Sequence, residues 1–255
     1  MSVLACESLH KAFGGIRAVN DVSFTVRRSC IKALIGPNGA GKTTVLNIIS
    51  GFIEPTSGRI FLNGREISSL PIHRRASLGI GRTFQNIELF PHMTVLENVM
   101  VGYHGRLSSG FIGAAMRFPA IAREERKTRE RALEVLSFVG LEECREQKAG
   151  SLAFGMQRLV EVARALASAP DLLLLDEPAA GLNNRETERL GELILRIRNE
   201  GMTIILIEHD MDLVMAIADE LAVLNFGALI AEGTPREIQQ NQVVIEAYLG
   251  GSTGA

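Results

Sequence analysis

Short β-branched runs dominate the first third of the chain. "VSFTV" (22–26), "IKALI" (31–35) and "RIFLN" (59–63), punctuated by Gly and Asn, predict strands with tight connections. From Val95 to about Ala169 the period lengthens: Leu133, Leu136 and Val139 recur at helical spacing, as do Leu159, Val162, Ala163 and Leu166. This middle third is therefore expected to be helical, with Gly140 ending one helix. Within it, "HGRLSSGFIG" (104–113) reads as a Gly/Ser loop, and the alternating charges of "AREERKTRER" (122–131) read as a solvated helix face.

After Pro170 the pattern alternates. "DLLLLD" predicts a strand, "NNRETERLGELILRIRNE" a helix, "GMTIILIEHD" a strand, "MDLVMAIADE" a helix and "LAVLNFGALIAEG" a hairpin. Strands that are apolar throughout, separated by amphipathic helices, imply an α/β fold with a parallel sheet covered on both faces.

Composition adds boundaries to this picture. The 255 residues are 46% apolar and 22% charged, ordinary for a chain with a sizeable core. Lys and Arg number 27 against 29 acids, so no global basic field draws the chain onto nucleic acid or anionic lipid. Cys6, Cys30 and Cys144 lie far apart without a CxxC pair, which argues against a disulfide framework and a zinc site and fits a reducing cytoplasm. The N-terminal stretch has no signal-peptide pattern, and no segment approaches the roughly 20 apolar residues of a membrane span. Any membrane role is expected to come through a partner.

The strongest chemical signal is "GPNGAGKTT": Gly36, Pro37, Asn38, Gly39, Ala40, Gly41, Lys42, Thr43 and Thr44. It follows the apolar run "IKALI" and precedes the amphipathic "VLNIIS", the strand, loop and helix context that GxxxxGK followed by Ser or Thr requires. Glycines let backbone N–H groups close around phosphate oxygens, the helix start adds positive potential, and Lys42 supplies a point charge to the β and γ phosphates. Thr43 would offer its hydroxyl to Mg²⁺. An ordinary Gly-rich turn is the plainer alternative, and the correct flanks disfavour it.

Acids narrow the chemistry. "LLLLDE" puts Asp176 and Glu177 at the C-terminal end of a buried strand, where open parallel sheets bind their ligands. Asp176 would hold the magnesium and Glu177 would polarise the attacking water. A third strand, "TIILIEHD", carries His209 at its matching end, within reach of the γ-phosphate.

These residues, with the phrase before "QRLVEVARAL", make the chain resemble an ABC transporter ATP-binding subunit over nearly all its length. The phrases "EPAAGLN", "NFG" and "IAEGTP…VIEAYLG" resemble the subunits of branched-chain amino acid uptake systems most closely. The resemblance implies the P-loop ABC ATPase fold: a RecA-like, mostly parallel sheet core, an antiparallel β subdomain and an inserted helical subdomain. It implies four segments: 1–94, the β subdomain and first part of the core; 95–169, the helical subdomain; 170–234, the second part of the core; and 235–255, a helical tail.

Further roles follow from the resemblance alone. Phe13 would stack on adenine, with a core aromatic as the plainer alternative. Gln85, in "GRTFQN", would be the Q-loop glutamine that meets magnesium and the attacking water, and "LFPHMTVLENV" (89–99) would lie near the membrane subunit's docking groove. The family phrase LSGGQ corresponds to Leu152, Ala153, Phe154, Gly155 and Met156; an aromatic before the glycine occurs in the branched-chain subfamily as LAYGQQ, whereas Met156 is the less expected change. In the family this phrase closes over the nucleotide of a second subunit. Backbone N–H groups and the helix dipole at Gly155 preserve anion capture without the serine hydroxyl. Asn183 stands where many family members carry the D-loop aspartate; it could bond across subunits or cap the following helix.

The implied protein is a Mg²⁺-dependent ATPase at the cytoplasmic face of the inner membrane, peripheral to it. It would pair head to tail with itself or a homologous ATPase, drive integral permease subunits and serve a solute-binding protein indirectly, without nucleic acid. Branched-chain or related amino acids are the expected cargo. Lipopolysaccharide export is the alternative, disfavoured by the length of the insertion from Gly102 to about Arg129. A soluble ABC regulator would need paired ATPase units or a coiled coil, and a small-molecule kinase would need an acceptor pocket and lid.

Overall fold

The computed structural model describes residues 2–103 and 119–250. The expected loop at 104–113, most of the insertion and the end of the tail lie outside them. Two sheets organise the chain. The first is antiparallel, ordered β2 (Ile16–Arg27), β1 (Ser2–Phe13), β4 (Ser57–Leu62), β5 (Arg65–Glu66). The second has six strands ordered β10 (Ala228–Gly233), β9 (Glu220–Asn225), β3 (Ile31–Ile35), β8 (Thr203–Ile207), β7 (Leu172–Asp176), β6 (Ile80–Arg82). Its neighbours run parallel except for the β9–β10 hairpin.

The central strands β3, β7 and β8 are buried at every position, as their apolar sequences predict. Their alternate residues supply two different cores. Leu173, Leu175, Ile204 and Leu206 pack with α3 (Val95–Tyr103), α4 (Pro119–Val139), α5 (Phe154–Ala167) and α6 (Asn184–Asn199). Leu172, Leu174, Ile205 and Ile207 face α1 (Lys42–Ser50) and the antiparallel sheet. Burying each such side chain contributes about 1.5–3 kcal/mol.

Local signals explain several element ends. Gly140 has φ +79°, the left-handed conformation that closes α4. Arg75, on α2 (Ile72–Ser77), is fully buried and donates to the carbonyls of Ile48 and Ile49, so it closes the C-terminal end of α1 from outside the helix. The charge run Arg123–Arg131 forms a solvated face of α4, interrupted by buried Thr128, whose hydroxyl bonds the Glu124 carbonyl.

The sequence pattern missed β6, α2 and the full length of β1, and it overextended α7. That helix spans Met211–Ile217, because Glu220 already enters β9. The tail helices α8 (Pro235–Gln239) and α9 (Gln242–Gly250) complete a third core, in which Ile238 and Val244 meet Ile35 and Val223. Burial pushes the pKa of Tyr248, on α9, up, and the nearby backbone of Gly36 opposes that shift.

Candidate functional site

Because β3, β7 and β8 are parallel neighbours, their C-terminal ends open on one edge. From β3 the chain enters the phosphate loop and then α1. Gly36 has φ +147° and lies so close to Leu224 that a Cβ would stand 2.0 Å from its carbonyl oxygen. Gly41, with φ +100°, precedes the helix, which starts without any side-chain cap. Its first N–H groups are thus available to an anion. The cleft here, about 220 Å³, is lined by Asn38 through Thr44 together with Ala18, Glu177 and His209. Gly36 and Pro37 stand behind it, their carbonyls accepting from the Lys42 ammonium at 2.7 and 3.0 Å. Burial lowers the Lys42 pKa, and the charges of Glu177 and Asp176 oppose that shift.

Asp176 ends β7 and is almost wholly buried. Its Oδ2 accepts from Arg82 Nη2 at 3.0 Å, and Arg82 Nη1 in turn donates to Ser50 Oγ at 2.7 Å. Burial raises the Asp176 pKa, Arg82 counteracts this, and Oδ1 has no hydrogen-bond partner. A buried carboxylate oxygen without a partner costs roughly 1–3 kcal/mol or more. A bound cation would satisfy it, so the residues present fit Mg²⁺. Among the described residues no cluster of three or more His, Cys, Asp or Glu could hold a metal, so a cation here would depend on hydroxyl and phosphate oxygens as well.

The next residue, Glu177, has φ +49°, a left-handed backbone for a non-glycine. Such a conformation costs on the order of 1–3 kcal/mol and is held here by its N–H bond to the Ile207 carbonyl. Its side chain is gripped from two sides: His209 Nε2 lies 2.8 Å from Oε1 and Gln85 Nε2 donates to Oε2 at 2.9 Å. An ionised Glu177 accepts both bonds, which puts the proton of His209 on Nε2, and two of its lone-pair sites remain for water.

Glu208, which the sequence reading passed over, braces this edge. Buried beside His209, it accepts from the Ala179 N–H at 2.6 Å and the His209 N–H at 3.0 Å. Burial raises its pKa while those backbone donors lower it. An acid immediately before the strand-end histidine was the available signal. Arg82, Arg158 and Glu161 were passed over too: Arg158 and Glu161 pair with each other within α5, but the loop residues they hold, and the partners of Arg82, lie far away in sequence.

Other expected site residues stand apart from the cleft. Phe13 ends β1 half exposed, with Lys11 Nζ 5.1 Å from its ring centroid, so it is not a core aromatic. Leu152 and Ala153 lead into α5, whose first residues are Phe154 and Gly155, again without a side-chain cap. Phe154 is 48% exposed, while Met156 is half-buried against the core of α3, α4 and α5. Asn183 caps α6: its side chain accepts from the Glu186 N–H at 3.1 Å while the Glu186 carboxylate accepts from the Asn183 N–H at 3.0 Å.

A glycine loop at a helix start, a buried lysine, and an Asp–Glu pair beside a histidine on one parallel-sheet edge define the phosphate-loop class of nucleotide-binding proteins. A family model described as ABC transporter matches residues 19–180, and one described as branched-chain amino acid ATP-binding cassette transporter matches residues 228–253. The chain belongs to the ABC transporter ATP-binding family.

It is 48% identical over 97% of its length to the high-affinity branched-chain amino acid transport ATP-binding protein BraF of Pseudomonas aeruginosa, covering 98% of that protein. It is 45% identical to the corresponding LivG protein of Escherichia coli, with the same coverage of each chain. A crystal structure of an ABC transporter cassette in its ADP conformation superposes with a TM-score of 0.86 at 33% identity, covering 98% of this chain and 99% of that one. The dimeric structure of a bacterial ABC transporter cassette gives 0.77 at 27% identity, covering 91% and 99%.

Proposed function

We propose that this chain is the ATP-binding subunit that powers high-affinity uptake of branched-chain amino acids. One observation carries the reading: the phosphate loop, Asp176, Glu177, His209 and Gln85 meet at one sheet edge in a chain 48% identical over 97% of its length to BraF. Lys42 exchanges its two carbonyl contacts for the phosphates of ATP. Glu177, oriented by His209 and Gln85, takes the proton of the attacking water. Thr43, Asp176 and Gln85 would hold Mg²⁺, which supplies charge neutralisation of the phosphate oxygens.

Leu152 to Met156 present the start of α5 to the nucleotide of a second cassette, and Asn183 lies at the same junction. Phe13 serves as the adenine platform. The four segments divided at 94, 169 and 234 belong to this reading, with the helical segment turned toward the permease. Among the described residues no helix is long and apolar enough to cross a membrane. In this reading the chain attaches peripherally, at the cytoplasmic face, through permease subunits.

The test is a Glu177→Gln protein. It should lose about 10²–10⁴-fold in hydrolysis rate yet dimerise on adding ATP, read by size-exclusion chromatography with light scattering. Full hydrolysis by this variant, or a persistent monomer at saturating ATP with its natural paralogue present, would overturn the scheme. Reconstitution of the wild-type chain with its permeases should give ATP-dependent uptake of labelled leucine.

A further inference from the structure

Arg158 and Glu161 lie three residues apart on α5, each 1% exposed, and pair at 2.7 Å. Neither faces the nucleotide cleft. Both reach instead across to the loop after β6: Arg158 donates to the carbonyls of Phe84 and Gln85, each at 3.0 Å, and Glu161 accepts from the Phe84 N–H at 3.0 Å. Three bonds from one helix thus fix the backbone of the two residues whose second member, Gln85, grips Glu177.

The same guanidinium also meets the first turn of its own helix. The Arg158 guanidinium lies 5.8 Å from the ring centroid of Phe154, one turn earlier on α5. That ring also covers Gly181, where a Cβ would stand 2.9 Å from it. Phe154 therefore touches both Arg158 and the segment that follows Glu177.

Stability alone gives little reason for such a pair. Apolar residues of similar volume commonly replace a buried ion pair without loss, and Arg158 Nε is buried here with no partner. What apolar residues cannot do is hold two carbonyls and an N–H of a distant loop in fixed directions.

We propose that Arg158 and Glu161 are positioning residues that couple the first turn of α5 to Gln85 and, through its carboxamide, to Glu177. The proposal rests on the reading of that first turn as the surface that meets the second cassette's nucleotide. Ordering of the first turn reaches the reacting edge through the chain Phe154, Arg158, Gln85 backbone, Gln85 carboxamide and Glu177. Hydrolysis would thereby depend on whether α5 is engaged.

The experiment uses the paired variant Arg158→Met with Glu161→Leu in the assembled transporter. It should keep its melting temperature within a few degrees and its KM for ATP within about twofold, while kcat falls roughly 10- to 100-fold, because a displaced Gln85 misorients the base. Added to Gln85→Ala, the same pair should lower kcat by less than about twofold more, since both changes act through one carboxamide.

An unchanged kcat in the folded paired variant, or a full multiplicative loss on top of Gln85→Ala, would overturn the proposal. Should the paired variant unfold, Arg158→Lys keeps the charge opposite Glu161 but loses the two-pronged reach. It should then lower kcat with KM unchanged, and a wild-type kcat would overturn the proposal equally. Absence of ATP hydrolysis by the wild-type transporter would instead overturn the ATPase reading beneath it.

Discussion

Helices α1 and α5 begin alike and sit in opposite circumstances. Each opens beside a glycine without a side-chain cap, so each offers free N–H groups and a positive dipole end to an anion. Around α1 the chain supplies everything else: a cleft, a buried lysine, two acids and a histidine. Around α5 it supplies a half-exposed aromatic and a glycine whose Cβ would stand 2.5 Å from the Glu186 carboxylate. The first is a cleft complete within one chain, whereas the second, on the reading proposed above, is a surface that meets the nucleotide of a second cassette. On that reading one chain holds halves of two different sites, and only the first can be tested without a partner.

The largest effect that separates them is expected at Lys42. Its ammonium, held by the Gly36 and Pro37 carbonyls, is placed beside the cleft before any nucleotide arrives. In Lys42→Ala, loss of one charge-assisted contact worth about 1.5–3 kcal/mol should weaken ATP binding by the isolated chain roughly 10- to 150-fold. Calorimetric titration of the monomer reads this directly. Changes at the start of α5 should leave that same titration unaltered and appear only when two cassettes meet. A monomer titration that responds equally to both would erase the distinction.

The two halves also differ in how far the sequence exposed them. Gly36 to Thr44 are contiguous, and their spacing alone carries the chemistry. Asp176, Glu177 and His209 were legible because apolar runs ended on them, and parallel pairing brought those ends together. The supports were not legible. Arg82 meets Asp176 across 94 residues, Arg158 meets Gln85 across 73, and no local period records either.

The same limit governs the elements. Strand β6 has three residues and α2 six, too few to establish a period, and the β1–β2 pairing carries register shifts that break alternation. The parallel core was legible because burial on both faces leaves a mark at every position.

Asn183 sharpens the comparison at intermediate size. The sequence left it between capping α6 and reaching a second subunit, and its Oδ1 and N–H are both used in the box with Glu186. Its side-chain amide nitrogen is not part of that box. Asn183→Ala should cost about 1 kcal/mol in stability. For a chain of this size that lowers the melting temperature by roughly 2–4 °C. ATP affinity of the monomer should not move, because the cap lies outside the cleft lining. A normal melting temperature with weakened ATP-driven dimerisation would give the residue to the interface instead of the helix.

The smallest effect is expected at Met156, the least familiar residue of the phrase that opens α5. Its thioether is half-buried against the core that α5 shares with α3 and α4, so it contributes packing, while its backbone N–H is already donated to the Ala153 carbonyl at 2.9 Å. Gln is close in length and flexibility, and at a half-buried position on the first turn its amide can turn to solvent. Met156→Gln should therefore cost less than about 1 kcal/mol, a shift smaller than that of Asn183→Ala by differential scanning fluorimetry. ATPase activity of the assembled transporter should be preserved or raised, since on the proposed reading the new amide adds a donor beside the second cassette's nucleotide. The neighbouring Gln157 already donates one N–H of its own amide to the Leu152 carbonyl at 2.9 Å, which ties that side chain back to the start of the phrase. A kcat loss of tenfold or more at unchanged KM would mean that Met156 packing holds the first turn of α5 in register with Arg158. The outward half-site would then depend on its core more than on its exposed groups.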